Sequence, residues 1–198
     1  MVKRTGKRPD AIHPKHLVEQ AWHDWYVPYL TAADRVLEVG TSNGAHLVQA
    51  APHCRSIVGV DTVLFLDVIE HPVPRVVVLR EIHRLLADGG QLLVSAPNSQ
   101  TRWRATLRRA GLFAYSDPDH KIEYAADEFV AELRAGGFEP DGPLLPVVLD
   151  TPLAGAIDAV GGLSLRLYDR LSRWKRQAAL RRPAESTGFR VRARKARP

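Results

Sequence analysis

Cysteine is all but absent: Cys54 is the only one in 198 residues. A lone thiol can form no internal disulfide and no thiolate-held metal cluster, so a reducing, cytoplasmic setting is the expectation. No uninterrupted apolar run approaches the roughly 18 residues that a membrane-spanning helix needs. The opening Val2-Lys3-Arg4-Thr5-Gly6-Lys7-Arg8-Pro9 carries the charge of a targeting segment without an apolar region behind it. Aromatic residues are sparse at 7%, and no nucleic-acid motif or stacking platform can be picked out, which weighs against a nucleic-acid partner. What remains, 45% apolar and 25% charged, suits one soluble domain with one core.

The net charge of +6 is unevenly placed. Of 28 Lys and Arg, 12 lie from Arg166 onward, where the only acids are Asp169 and Glu185. The body is therefore mildly acidic and the tail basic. Such a tail suits nucleic acid, anionic lipid, an acidic partner or a plain solvated surface.

Residues 1–12 read as a disordered basic arm and 13–198 as one domain. Leu17, Ala21, Trp22, Trp25 and Tyr29 recur at helical spacing, predicting a helix from Pro14 to Leu30 that Pro28 bends or ends. Strands are expected at Arg35–Val39, Ser56–Val60, from Val63, at Gln91–Ser95 and around Leu144–Leu149. Helices are expected at Ala45–Ala51, Val76–Leu86 and Asp127–Ala135. This alternation is that of a doubly wound α/β sheet. Phe189, Val191 and Ala193 alternate with Arg190, Arg192 and Arg194, the period of a half-exposed antiparallel strand near an edge. A helical insertion spans 154–180, with Leu163, Leu167, Leu171 and Trp174 on one face and Arg166, Arg170 and Arg173 opposite. That insertion could pack on its own domain, dimerise or touch a membrane surface.

One junction is anomalous. Two parallel neighbouring strands need a crossover of about a dozen residues or more between them. Ile57-Val58-Gly59-Val60-Asp61 runs directly into Thr62-Val63-Leu64-Phe65. Either one long bent strand runs through, or part of a crossover is missing between Asp61 and Thr62; the second reading is preferred.

The richest segment is Val36-Leu37-Glu38-Val39-Gly40-Thr41-Ser42-Asn43-Gly44: a buried strand, an acid, then a tight turn. Gly40 and Gly44 allow backbone to approach a ligand closely. The spacing is not the G-x-G-x-x-G of a dinucleotide loop, nor does it end in Gly-Lys-Ser/Thr, which argues against a nicotinamide dehydrogenase. An acid before the turn suits a ligand carrying positive charge.

With these residues the chain resembles the class I S-adenosylmethionine-dependent methyltransferases, specifically their small-molecule branch. Val36 to Gly44 is similar to the family's first motif, with Ser42 in place of the middle glycine. Ile57 to Asp61 resembles the second strand, Phe65-Leu66-Asp67-Val68-Ile69-Glu70-His71 the fourth-strand motif, and Leu79 to Gly90 the helix and turn before the fifth strand. The resemblance implies a Rossmann-like, mostly parallel seven-stranded sheet with an antiparallel C-terminal strand. It implies S-adenosylmethionine held by Glu38, Gly40, Thr41, Ser42 and Gly44, with Asp61 on the ribose hydroxyls and Asp67 also in the cofactor set.

The activity it implies is methyl transfer to a small-molecule or glycan- or lipid-linked acceptor, most simply at a hydroxyl oxygen. The alternatives are an RNA methyltransferase using the basic tail, and a non-catalytic cofactor-binding partner protein of the same fold. Residues after the fourth and fifth strands would face the acceptor: Asp67, His71, Asn98 and Asp117 to Tyr124. His120 is the candidate base and His71 a candidate for orienting the acceptor. Asp119, His120 and Glu123 match no recognised metal geometry, so no metal is expected. His46, His53 and His83 are assigned to solvent or packing. A homodimer or peripheral membrane contact would use 154–180.

Overall fold

The computed structural model describes residues 25–39, 51–53 and 61–196. Its centre is a six-stranded sheet in the order β1-β2-β3-β6-β4, with β5 also paired to β6. The strands are β1 (Val36–Glu38), β2 (Thr62–Leu66), β3 (Gln91–Pro97), β4 (Phe138–Pro140), β5 (Leu145–Pro146) and β6 (Gly188–Lys195). The first three are parallel, and β6 enters antiparallel between β3 and the short β4 and β5. Six strands, not seven, are present among the described residues; the expected strand Ser56–Val60 and helix Ala45–Ala51 lie largely outside them.

β2 explains why its sequence reads as an unbroken apolar run. All five of its residues are buried, as a parallel strand covered on both faces requires. Val63 and Phe65 face one core, built with Leu79 and Ile82 of α1 (Arg75–Leu85) and Phe129 and Leu133 of α3 (Ala126–Ala135). Leu64 and Leu66 face the other, closed by Tyr26 and Leu30. The segment before β1 is a 3-10 turn, Val27–Tyr29, with Pro28 in its first turn where no N–H is required. Proline there starts a turn; the part of the expected helix from Pro14 that precedes Trp25 lies outside the described residues.

At the anomalous junction the backbone of Asp61 belongs to the start of β2: Asp61 N–H donates to Arg35 O, and Asp61 O accepts from Gln91 N–H at 2.9 Å. β1 and β2 are direct parallel neighbours, and residues 54–60 on the other side of the junction lie outside the described residues.

Three further expectations are corrected. β6 is antiparallel and lies beside the edge strand β4 as expected, but it is mostly buried instead of half-exposed. Two of its three arginines are covered: Arg190 lies over the Trp25 ring, and Arg192 over Tyr29 while pairing with Asp141. The helical insertion is two helices, α4 (Ala154–Gly161) and α5 (Leu165–Arg181), separated at Gly162, with the Ser164 hydroxyl capping α5 by accepting from Leu167 N–H. α5 turns Tyr168, Ser172 and Ala179 inward, and leaves Leu163, Leu167 and Trp174 exposed. The expected strand around Leu144–Leu149 shrinks to β5 and one bridge at Leu149.

One helix was not foreseen. α2 (Arg102–Arg109) starts at Thr101, whose hydroxyl accepts from Arg104 N–H at 3.1 Å and donates to Asp150. Arg104 is itself buried against Asp150, Nε to Oδ2 3.2 Å, and donates to Ala114 O.

Candidate active site

The carboxyl ends of parallel strands are where open α/β sheets bind ligands. Glu38 ends β1 there, and Asp67 follows β2 on the same edge. Glu38 is 92% buried by complement of its 8% exposure, and its Oε2 has no hydrogen-bond partner among the described residues. Burial alone pushes its carboxyl above the usual carboxylate range. Gly40, Thr41, Ser42 and Gly44, the turn that would complete this pocket, lie outside the described residues.

Asp67 leaves β2 in a left-handed conformation, φ 55°, which aspartate tolerates better than most residues. Ser95 of β3 holds it: Asp67 N–H donates to Ser95 Oγ at 2.8 Å, and the hydroxyl donates to Asp67 Oδ1 at 2.7 Å. Asp61 does not join this group. It stands at the opposite edge of the sheet, where Arg35 grips its carboxylate through the backbone N–H, Nε and a terminal nitrogen. Asn98 is likewise turned to structure. It is buried, its amide donates to Ala184 O and Ser186 O, and its Oδ1 accepts from Gln100 N–H.

His71 and His120 do meet. The chain after Asp67 turns through Glu70 and His71, while a loop from Ser116 to Tyr124 folds back over it. Lys121 N–H donates to Glu70 O at 2.8 Å and Tyr124 N–H to Pro97 O at 3.0 Å, pinning the loop to the ends of β2 and β3. The two imidazoles then pack edge to face, centroids 4.9 Å apart. His120 Nδ1 is 3.0 Å from Glu123 Oε1, and its Nε2 is 3.6 Å from Glu70 Oε1. Ser116 donates its backbone N–H and its hydroxyl to Glu123 Oε1.

The two carboxyls respond oppositely to this enclosure. Burial pushes Glu70 up to about 8, and the charges of Asp67, Glu123 and Asp117 add to the rise. Burial also works to raise Glu123, but its hydrogen bonds from His120 and Ser116 and the charge of Arg104 outweigh it and hold Glu123 below the usual range. An ionised Glu123 can only accept, so Nδ1 of His120 donates to it and Nε2 is turned toward Glu70.

Ser116 was missed as a site residue, and Glu123 was nominated only as part of the acceptor-facing segment 117–124. The only signal for them was their closeness in sequence to His120. His83 packs its ring on Phe138, centroids 5.4 Å apart, and His53 is exposed, as their assignments required.

No protein-family model matches this chain, and no curated protein does. The solved structures do. Three of them share its fold and are named as methyltransferases or as a cyclopropane synthase. A chain of the complex between the Trm112 methyltransferase activator of Haloferax volcanii and a proposed methyltransferase is 12% identical. It has a TM-score of 0.53, with 93% of each chain covered. A SAM-dependent methyltransferase of Thermotoga maritima is 13% identical with a TM-score of 0.52, covering 91% of this chain and 89% of its own. The mycolic acid cyclopropane synthase CmaA1, complexed with SAH and CTAB, is 15% identical with a TM-score of 0.53, covering 87% and 82%. At these identities the likeness establishes the fold.

Proposed function

We propose that this chain is an S-adenosylmethionine-dependent methyltransferase acting on a hydroxyl of a small-molecule or glycan- or lipid-linked acceptor. The observation that carries the reading is Glu38: a buried carboxyl whose Oε2 is unpartnered among the described residues, on the ligand-binding edge two residues before Gly40. A buried polar group is retained at a cost unless something satisfies it. A cofactor bearing hydroxyl and ammonium donors is a suitable partner, with Gly40, Thr41, Ser42, Gly44 and Asp67 lining its other sides. That one fold neighbour is complexed with SAH supports this choice of cofactor.

Transfer breaks the sulfonium C–S bond and forms a C–O bond. The cofactor leaves as a neutral thioether and the acceptor's hydroxyl gives up a proton. Sulfur's charge already activates the methyl group, so the protein's main task is alignment. His120 and His71 lie at the acceptor's side of the sheet edge, and His120 presents an oriented nitrogen to that hydroxyl. The exposed Leu163, Leu167 and Trp174, with the arginines of α5, form the surface for peripheral contact with an anionic membrane.

The RNA-modifying alternative is weakened by how the tail's charge is used. Arg190, Arg192, Arg194 and Lys195 all make intramolecular contacts. The non-catalytic alternative gains nothing from the first-described neighbour, because a complex of an activator with a proposed methyltransferase supports a protein partner and not a loss of activity.

Calorimetry with S-adenosylmethionine, followed by an acceptor screen that detects S-adenosylhomocysteine release, tests the proposal. Saturable binding that Glu38→Ala weakens supports it. Absence of binding by the folded wild type would overturn it, and binding without turnover on any hydroxyl acceptor would favour the non-catalytic partner.

A further inference from the structure

We infer that Glu70, His71 and His120 form a binding site for one divalent transition-metal ion at the acceptor side of the sheet edge. Each of the three side chains offers one ligand atom, and these atoms lie within 4.8 Å of one another. Donors about 2.1 Å from a shared ion stand roughly 3.4 Å apart, so small side-chain rotations close the set.

Three independent features fit a metal better than a hydrogen-bonded cluster. His120 is oriented as metal-bound histidines are: its Nδ1–H is held by the carboxylate of Glu123, which points Nε2 toward Glu70 and supports its basicity. Ser116 in turn holds Glu123. Glu70 is 2% exposed, its Oε2 has no hydrogen-bond partner, and no Lys or Arg pairs with it among the described residues. Asp67, Asp117 and Glu123 add negative charge around it. His71, by contrast, is exposed, which leaves the ion open to solvent or to an acceptor on that side.

The donor chemistry narrows the ion. Two imidazoles with one carboxylate suit zinc, cobalt, iron or manganese, whereas an all-oxygen set would suit calcium or magnesium. The role of the ion rests on the methyl-transfer reading; its binding does not. Bound to the acceptor's hydroxyl oxygen, the ion lowers the proton affinity of that oxygen, and the proton leaves to water as the C–O bond forms. His120 then holds the ion instead of taking the proton.

The test uses untagged full-length protein, stripped with chelator and dialysed, and titrated with Co(II) while visible absorption and heat are recorded. One Co(II) should bind per chain with a Kd of about 10 μM or tighter and be displaced by Zn(II). His71→Ala and His120→Ala should each weaken it at least tenfold, with His53→Ala unchanged. Glu123→Gln, which conserves volume, should weaken it about 10-fold or more and serves if the histidine variants unfold by circular dichroism. Absence of saturable Co(II) binding by the folded wild type overturns the inference, as does equal affinity in the histidine variants. S-adenosylhomocysteine binding is measured on the same stripped sample. Its retention without a Co(II) site removes the metal alone, and its loss with the site intact removes the cofactor reading alone.

Discussion

Glu123 holds His120 from three residues away, Oε1 to Nδ1 at 3.0 Å, with the ring turned so that its other nitrogen looks at Glu70. Neither residue lies in a helix or strand, so this alignment depends on side-chain hydrogen bonds and on the loop's backbone anchors. Replacing the acceptor with an amide lets Glu123→Gln donate as well as accept and frees the ring's tautomer. Turnover of a hydroxyl acceptor should fall about 10-fold or more, while affinity for S-adenosylmethionine stays within twofold. Steady-state kinetics beside calorimetry separates the two, and unchanged kcat would remove Glu123 as a positioning residue.

Glu38 sets a pH dependence. Its folded-state carboxyl is raised by burial, so its contribution to stability is complete below the ordinary carboxylate range, near pH ~4, and is lost as pH rises through the folded value. Glu38→Gln cannot ionise. The apo variant should therefore be at least as stable as wild type at neutral pH and converge with it in acid, as measured by thermal unfolding across pH. The same variant should bind S-adenosylmethionine at least tenfold more weakly. A wild type that is the more stable of the two at neutral pH would show that Glu38 is already satisfied without a ligand.

The buried pair Arg104–Asp150 ties α2 to the segment before α4, with side chains 9% and 7% exposed. Removing one member leaves the other charge buried, and Thr101 loses the acceptor of its hydroxyl. Asp150→Ala should cost about 3–5 kcal/mol in urea unfolding. A loss under 1 kcal/mol would mean that water replaces the carboxylate.

The stripe on α5 should behave in the opposite way. Leu167 and Trp174 are 46% and 50% exposed, so Leu167→Ser with Trp174→Ser should change unfolding free energy by about 0.5 kcal/mol or less per site. Sedimentation with vesicles containing phosphatidylserine should show binding by wild type that this double variant loses. Equal sedimentation of both proteins would assign the stripe to solvent or to another partner.

Much of the fold could be read locally. β2 and β3 appear as apolar runs, and α1 and α3 as apolar residues at helical spacing ended by glycine or a turn; all four fall within two residues of expectation. β6 was found by its alternation and does lie beside the edge strand, but its exposure was overestimated, because a row of arginines looks the same whether it meets water or lies over Trp25 and Tyr29. α2 went unseen since four of its eight residues are arginine, one of them buried, and its stability comes from a cap and a buried ion pair. α5 showed its stripe and left its direction open: packing around Tyr168, Ser172 and Ala179 decided which face turns inward.

The candidate site divides the same way. Glu38 was legible because a strand, an acid and a glycine turn are contiguous, and their φ/ψ and burial demands are written within nine residues. Asp61 shows the limit: an acid at a strand boundary points to whichever edge the strand's direction gives it, and here that edge belongs to Arg35. His71 and His120 were both named, yet nothing local could join them. They meet because Lys121 N–H reaches Glu70 O across the sheet's end, a contact between segments fifty residues apart. By itself, then, the chain's pattern determined the elements and the acid beside the turn, since both arise from neighbours along the backbone. Only tertiary structure decided which carboxylate faces which imidazole, because that depends on strand register and loop closure between distant segments.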